Sequence, residues 1–183
     1  VGAPPDAVDE LDASAAQYDH LAGRPADALE RLRPYLDESN PRMFLSAATA
    51  AIPAYALEGR AAEAFALIDR ASETWQRIGD QLALFDPGML LVCGALAAME
   101  AGRLDDAAGY AGLGHAVSVE RHMAVARAWM ALALGRVSLW RGDLVDAEAR
   151  FLEGRVAAEG SAGMVRWAIG CQLQAAVAVA DLP

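Results

Sequence analysis

Apolar positions along this chain recur mostly three and four residues apart, in stretches too long for strands, which is the periodicity of helices with one buried face. The stretch "LGRVSLWRGDLVDAEARF", Leu134 to Phe151, shows how the stretches are joined. A helical run meets an abrupt Arg-Gly-Asp, and a second helical run begins at once with acidic residues. Read this way, the pattern predicts helices over about 6–22, 25–38, 42–58, 60–78, 87–101, 103–120, 122–141, 143–159 and 161–181. The breakers "DESNPR", "GDQLALFDPG" and "EGSAG" separate pairs of them. Pro34 and Pro53 fall inside predicted helices and should kink or shorten them, since proline lacks the N–H that a helix interior needs. Pro87 after Asp86 reads as a cap followed by a first-turn proline. The run "MLLVC" is β-like by itself but lies in an Ala/Leu helical context, so no strand is expected.

The corner repeats. "AGRPADALERL", "EGRAAEAFALI", "AGRLDDAAGYA" and "RGDLVDAEARF" share a glycine followed by Arg or Asp, with an alanine five residues after the glycine. The glycines are Gly23, Gly59, Gly102 and Gly142, at steps of 36, 43 and 40 residues, and the alanines are Ala28, Ala64, Ala107 and Ala147. A weaker fifth copy begins near Ala180. Glycine ends a helix in the left-handed conformation at low cost. The acids Asp27, Glu63, Asp105, Asp106 and Asp146 then sit against the positive end of the next helix dipole. Alanine one turn in lets two antiparallel helices approach closely. A period in this range predicts stacked helical hairpins.

These residues resemble the tetratricopeptide pattern. Leu134-Gly135 match its Leu-Gly pair, Gly142-Asp143 its turn, and Ala147 and Phe151 its second-helix alanine and aromatic. Ala131 and Ser138 stand where that pattern has tryptophan and tyrosine, its closing proline is absent, and the steps exceed its usual length. The segment "ARAWMALALGRVSLWRGDLVDAEARFLEGRVAAEGSAGMVRWAIGCQLQAAVAVAD" is similar to the helical-repeat region of LuxR-family regulators of the MalT-like, ATP-dependent type. The resemblance is good over about 100–183 and loose before that. It implies an all-α fold, a right-handed solenoid of antiparallel hairpins, and a non-catalytic sensing or protein-interaction role. A nucleotide-binding domain and a DNA-binding helix-turn-helix would flank such a region. Neither motif lies in this chain, so the family's ATPase and DNA-reading residues do not carry over. A general tetratricopeptide-like adaptor is the alternative. The start at Val1 and the ending "VADLP" are what a piece of a longer protein would give, with 1–183 expected to be one repeat domain.

Charge narrows the chemistry. Acids outnumber bases 25 to 15 for a net charge of −10, which argues against direct binding to a phosphate backbone. Every base is arginine, so a Schiff-base, phosphate-loop or general-base lysine is excluded. No basic apolar leader opens the sequence and no apolar run has membrane-spanning length, setting the expectation of a cytoplasmic chain without membrane contact. Cys93 and Cys171 read as small buried hydrophobes. His115 and His122 lack the cysteines that would complete a metal set, and a surface or turn role is expected of them. No nucleophile elbow or Cys-His pair is present. "GLGHAVSVE" at 112–120 reads as a close helix–helix contact rather than a dinucleotide loop, and no cofactor is expected.

The inner face of the hairpins is the candidate site, because stacked hairpins bind along the first helix of each pair. Counting back from the turn glycines nominates Trp129, Leu132, Arg136 and Leu139. The preceding copy offers Met89, Val92, Leu96 and Met99, and the last helix Trp167 and Gln174. Such a stripe suits a peptide, another protein domain or a small-molecule effector, and it equally suits plain helix–helix core. Arg136 is its telling member: a guanidinium there must reach solvent, meet an acid from a neighbouring helix, or meet a ligand. Trp140, directly before the corner, reads as packing.

Overall fold

The computed structural model describes residues 15, 16, 19, 22–78, 87–159, 168–173 and 175–177. Among these there is no strand. The helices are α1 (Pro25–Leu32), α2 (Pro41–Leu57), α3 (Ala61–Ile78), α4 (Pro87–Glu100), α5 (Leu104–Glu120), α6 (Ala124–Trp140) and α7 (Leu144–Ala157), with further helical residues at 168–173 and 175–177. The chain divides into two compact units, Val1–Gly102 and Arg103–Pro183. The first part of the 6–22 helix and the breakers at 79–86 and 160–163 lie outside the described residues.

All four corner glycines hold a positive φ, between 69° and 81°. At Gly142 the Asp143 amide donates to the Ser138 carbonyl at 2.9 Å and the Gly142 amide to Leu139 at 3.0 Å. These two bonds satisfy carbonyls that the end of α6 would otherwise leave bare. Gly59 repeats the arrangement, with Arg60 donating to Tyr55 at 2.9 Å and Gly59 to Ala56 at 3.0 Å. The residue after the glycine has its own task. Arg24, Arg60 and Arg103 each pair with an acid three residues on, Asp27, Glu63 and Asp106. At the fourth corner Asp143 instead accepts from the Asp146 amide at 3.1 Å and caps α7. The alanines Ala28, Ala64, Ala107 and Ala147 are completely buried.

A fifth corner lacks the glycine. Between α5 and α6, His122 holds φ 55°, and the Met123 amide donates to the Ser118 carbonyl at 2.8 Å. The turn role expected of His122 is therefore a left-handed helix stop, built from a residue that pays for its Cβ there.

In the first unit α2 packs against α1, α3 and α4. Its sequence is apolar all round because three sides are covered; Phe44, Leu45, Ala47, Ala48, Ala51 and Ile52 are inaccessible. The two suspect prolines behave differently. Pro34 shortens its helix, which gives way to a 3₁₀ turn over Arg33–Tyr35. Pro53 sits inside continuous α2. Having no N–H, it leaves the Thr49 carbonyl without its helical donor, and the Cys93 thiol of α4 donates to that oxygen at 3.0 Å. Burial pushes the Cys93 thiol up to about 12, which keeps it a protonated donor. The sequence reading of Cys93 as a buried hydrophobe is right about its place and omits its hydrogen bond.

In the second unit α6 packs against α5 and α7. Gly135 lies under the Phe151 ring, where an added Cβ would meet carbon at 2.5 Å, and Gly154 lies under Leu132, where it would meet carbon at 2.7 Å. Gly114 takes the Met130 side chain in the same way, which is the close contact expected of "GLGHAVSVE".

Two stability measurements follow from this packing. Gly135→Ala should lower stability by about 1–3 kcal/mol, since the fully buried Phe151 has nowhere to retreat. Gly109→Ala, on the open face of α5 with nothing within 4 Å, should instead raise it by about 0.5–1 kcal/mol. Equal midpoints in chemical denaturation would refute the close approach of α6 and α7. His122→Gly should stabilise by up to about 1 kcal/mol, the relief of φ exceeding the added freedom of the unfolded chain; a loss in thermal midpoint would mean that the imidazole does more than turn the corner.

Candidate functional site

The carboxyl-terminal half of α6 carries the candidate face. Leu132 is completely buried in a cluster with Ala128, Ala147, Phe151, Ala158, Ala168 and Cys171, and Trp129 and Leu139 pack half-buried against that cluster. Leu132 is core, and the other two flank it. Arg136, in the same register, is half-buried, and its guanidinium carbon lies 5.0 Å above the Trp140 ring. Its Nε is buried without a hydrogen-bond partner. Among the described residues no carboxylate is in ion-pair reach of it. Leaving such a donor unsatisfied costs about 1–3 kcal/mol, and the ring recovers part through the cation–π attraction. Burial raises the Cys171 thiol above its ordinary range while the Arg136 charge pulls the other way.

Of the first-unit candidates, Met89 and Leu96 are half-buried, whereas Val92 and Met99 are core. Trp167 and Gln174 lie outside the described residues. Trp140 is 45% exposed. Its ring packs against the Arg136 guanidinium, and the i, i+4 spacing to an arginine was the available signal.

Sequence reasoning missed a second polar centre. Glu153 of α7 accepts from Arg127 of α6 at 2.7 Å (Nη2) and 3.0 Å (Nε), and its Oε1 lies 2.9 Å from His115 Nε2 of α5. Arg150 lies 3.5 Å from its other oxygen. One carboxylate thus ties three helices, with partners 38 and 26 residues away that no local pattern reveals. Burial alone would raise the Glu153 pKa, but the hydrogen bonds from Arg127 and His115 outweigh it and hold the group below its ordinary value.

In the first unit a shallow cavity of about 210 Å³ is lined by Leu36, Tyr55, Glu63, Ala66, Leu67 and Arg70. Its charges are already matched: Arg70 donates to Glu38 at 3.2 Å and to the Leu36 carbonyl at 2.9 Å, and Arg60 to Glu63 at 2.9 Å. Among the described residues no group of His, Cys, Asp and Glu could hold a metal ion. No described helix is long and apolar enough to cross a membrane. Comparison with known proteins finds no matching family model, no matching curated protein and no matching solved structure.

The Glu153 centre predicts an acid dependence. A depressed folded pKa contributes stability above the unfolded value, about 4.3 for glutamate, which is lost as pH falls through the folded one. Glu153→Gln should cost about 1–2 kcal/mol at neutral pH, with the gap to wild type closing below about pH 4. Parallel stability curves from pH 7 to 3 would remove Glu153 as a pH-dependent tie.

Proposed function

We propose that this chain is a non-catalytic binding module, a right-handed array of antiparallel helical hairpins of tetratricopeptide type. In this reading it serves as the effector-sensing or protein-interaction segment of a LuxR-family regulator. The observation that supports the binding role is Arg136, a half-buried cation without an acid among the described residues; the repeat resemblance would put its register on the face that stacked hairpins use for recognition. The array is supported by the left-handed glycine corners and by Gly135 meeting Phe151, the positions that resemble the repeat's conserved small and aromatic residues. Occupancy of such a face switches a regulator only if the ligand favours one arrangement of the flanking domains over another.

The parent reading frame tests the regulator assignment. A phosphate-binding loop upstream and a helix-turn-helix downstream are expected; a frame with neither leaves a general helical-repeat adaptor. In a mobility-shift titration at moderate salt, this acidic segment should leave duplex DNA unshifted, and tight sequence-selective binding by it would overturn both readings.

A further inference from the structure

We infer that Arg136 and Trp140 form a receptor for a carboxylate carried on an apolar body. This rests on the reading of the α6 face as a binding face and names what it binds. The acids of this chain are numerous enough to neutralise its arginines, and among the described residues of the second unit they mostly do. Arg103 pairs with Asp106, Arg127 with Glu153, Arg141 with Asp105, and Arg150 with Asp146 and Glu153. Arg121 and Arg155 are exposed and keep their water. Among the described arginines Arg136 is different: half-buried, with Nε buried and unpartnered, and over an indole face rather than against a described carboxylate.

With one face on the ring and Nε buried, the terminal Nη1–Nη2 end of Arg136 is the edge left to a ligand, and such an edge is what a carboxylate engages with two parallel hydrogen bonds. Trp140 holds the fork still, so less freedom is lost when an anion docks. The exposed remainder of the indole offers an apolar surface beside the charge. The net charge of −10 sets a filter. It opposes multiply charged anions more than a single carboxylate, so a phosphate dianion is disfavoured where a monocarboxylate with a hydrophobic body gains from both residues.

Phenylpropionate is a suitable probe, with its uncharged amide, inorganic phosphate and a Phe-Glu peptide amide as comparisons. The four indole N–H signals of the whole chain can be followed by NMR, Trp140 being assigned by its loss in Trp140→Phe. Phenylpropionate should shift the Trp140 signal saturably, while the amide and phosphate bind at least about ten-fold more weakly. Arg136→Gln should weaken the acid by a similar factor without lowering the thermal midpoint, and Arg136→Lys should fall between, keeping the charge and losing the fork. Stronger binding by the Phe-Glu peptide would assign the carboxylate to a protein partner, and stronger binding by phenylpropionate to a small effector. Equal binding of acid and amide, phosphate binding as tightly, an unchanged affinity in Arg136→Gln, or no saturable shift would overturn the receptor. Any of these leaves the parent-frame test standing, and a frame without regulator domains leaves this binding untouched.

Discussion

The second unit depends on one reciprocal contact between antiparallel helices. Leu132 of α6 seats on Gly154 of α7, and three residues along, Phe151 of α7 seats on Gly135 of α6. Each helix thus supplies one bulky side chain and, three residues later, one bare backbone to receive its counterpart. The exchange fixes register, because sliding either helix by one residue would bring two Cβ atoms where there is room for none. It also brings α6 and α7 close enough for the corner at Gly142 to close, and it places Ala147 against the same cluster. The reach of Arg127 on α6 to Glu153 on α7 depends on the same close approach of the two helices.

The first unit meets a different constraint. Its central helix packs against three others, which leaves little open surface to absorb a defect, and yet a buried proline sits inside it. A proline there is tolerated when the carbonyl it abandons finds another donor. The Cys93 thiol is such a donor, weak but dry, and its raised pKa means that it keeps its proton throughout the physiological range. A residue that composition marks as a small hydrophobe is therefore also the complement of a proline 40 positions earlier.

What the sequence made legible is local. Helix boundaries came within a residue or two at most ends, because glycine, first-turn acids and proline are read by the backbone of their own turn. The corners at Gly23, Gly59, Gly102 and Gly142 were visible for that reason; at His122 the break between helices was read, but without a glycine the left-handed stop that makes it was not. The Glu153 centre and the Cys93 bond escaped because their partners are remote in sequence and meet only through packing. In the candidate stripe, spacing put Trp129, Leu132, Arg136 and Leu139 on one face. Spacing could not say which of them the neighbouring helices would bury.

That division within the stripe carries the functional argument. A face made only of Trp129, Leu132 and Leu139 would be sufficiently explained by the cluster it packs on. A core position tolerates arginine only where its charge is hydrated, paired or stacked, and at Arg136 hydration is interrupted at Nε and pairing is absent among the described residues. Stacking on Trp140 compensates for the charge only in part, because a ring quadrupole is a weak substitute for a carboxylate. Arg136 lies where the buried face of α6 gives way to its exposed end, so its terminal nitrogens rather than the buried Nε are what an anion could reach. An acid on a neighbouring helix would have closed this position and made it structural. Among the described residues there is none, and Arg136 is a cation held in place by an aromatic ring and still able to accept an anion.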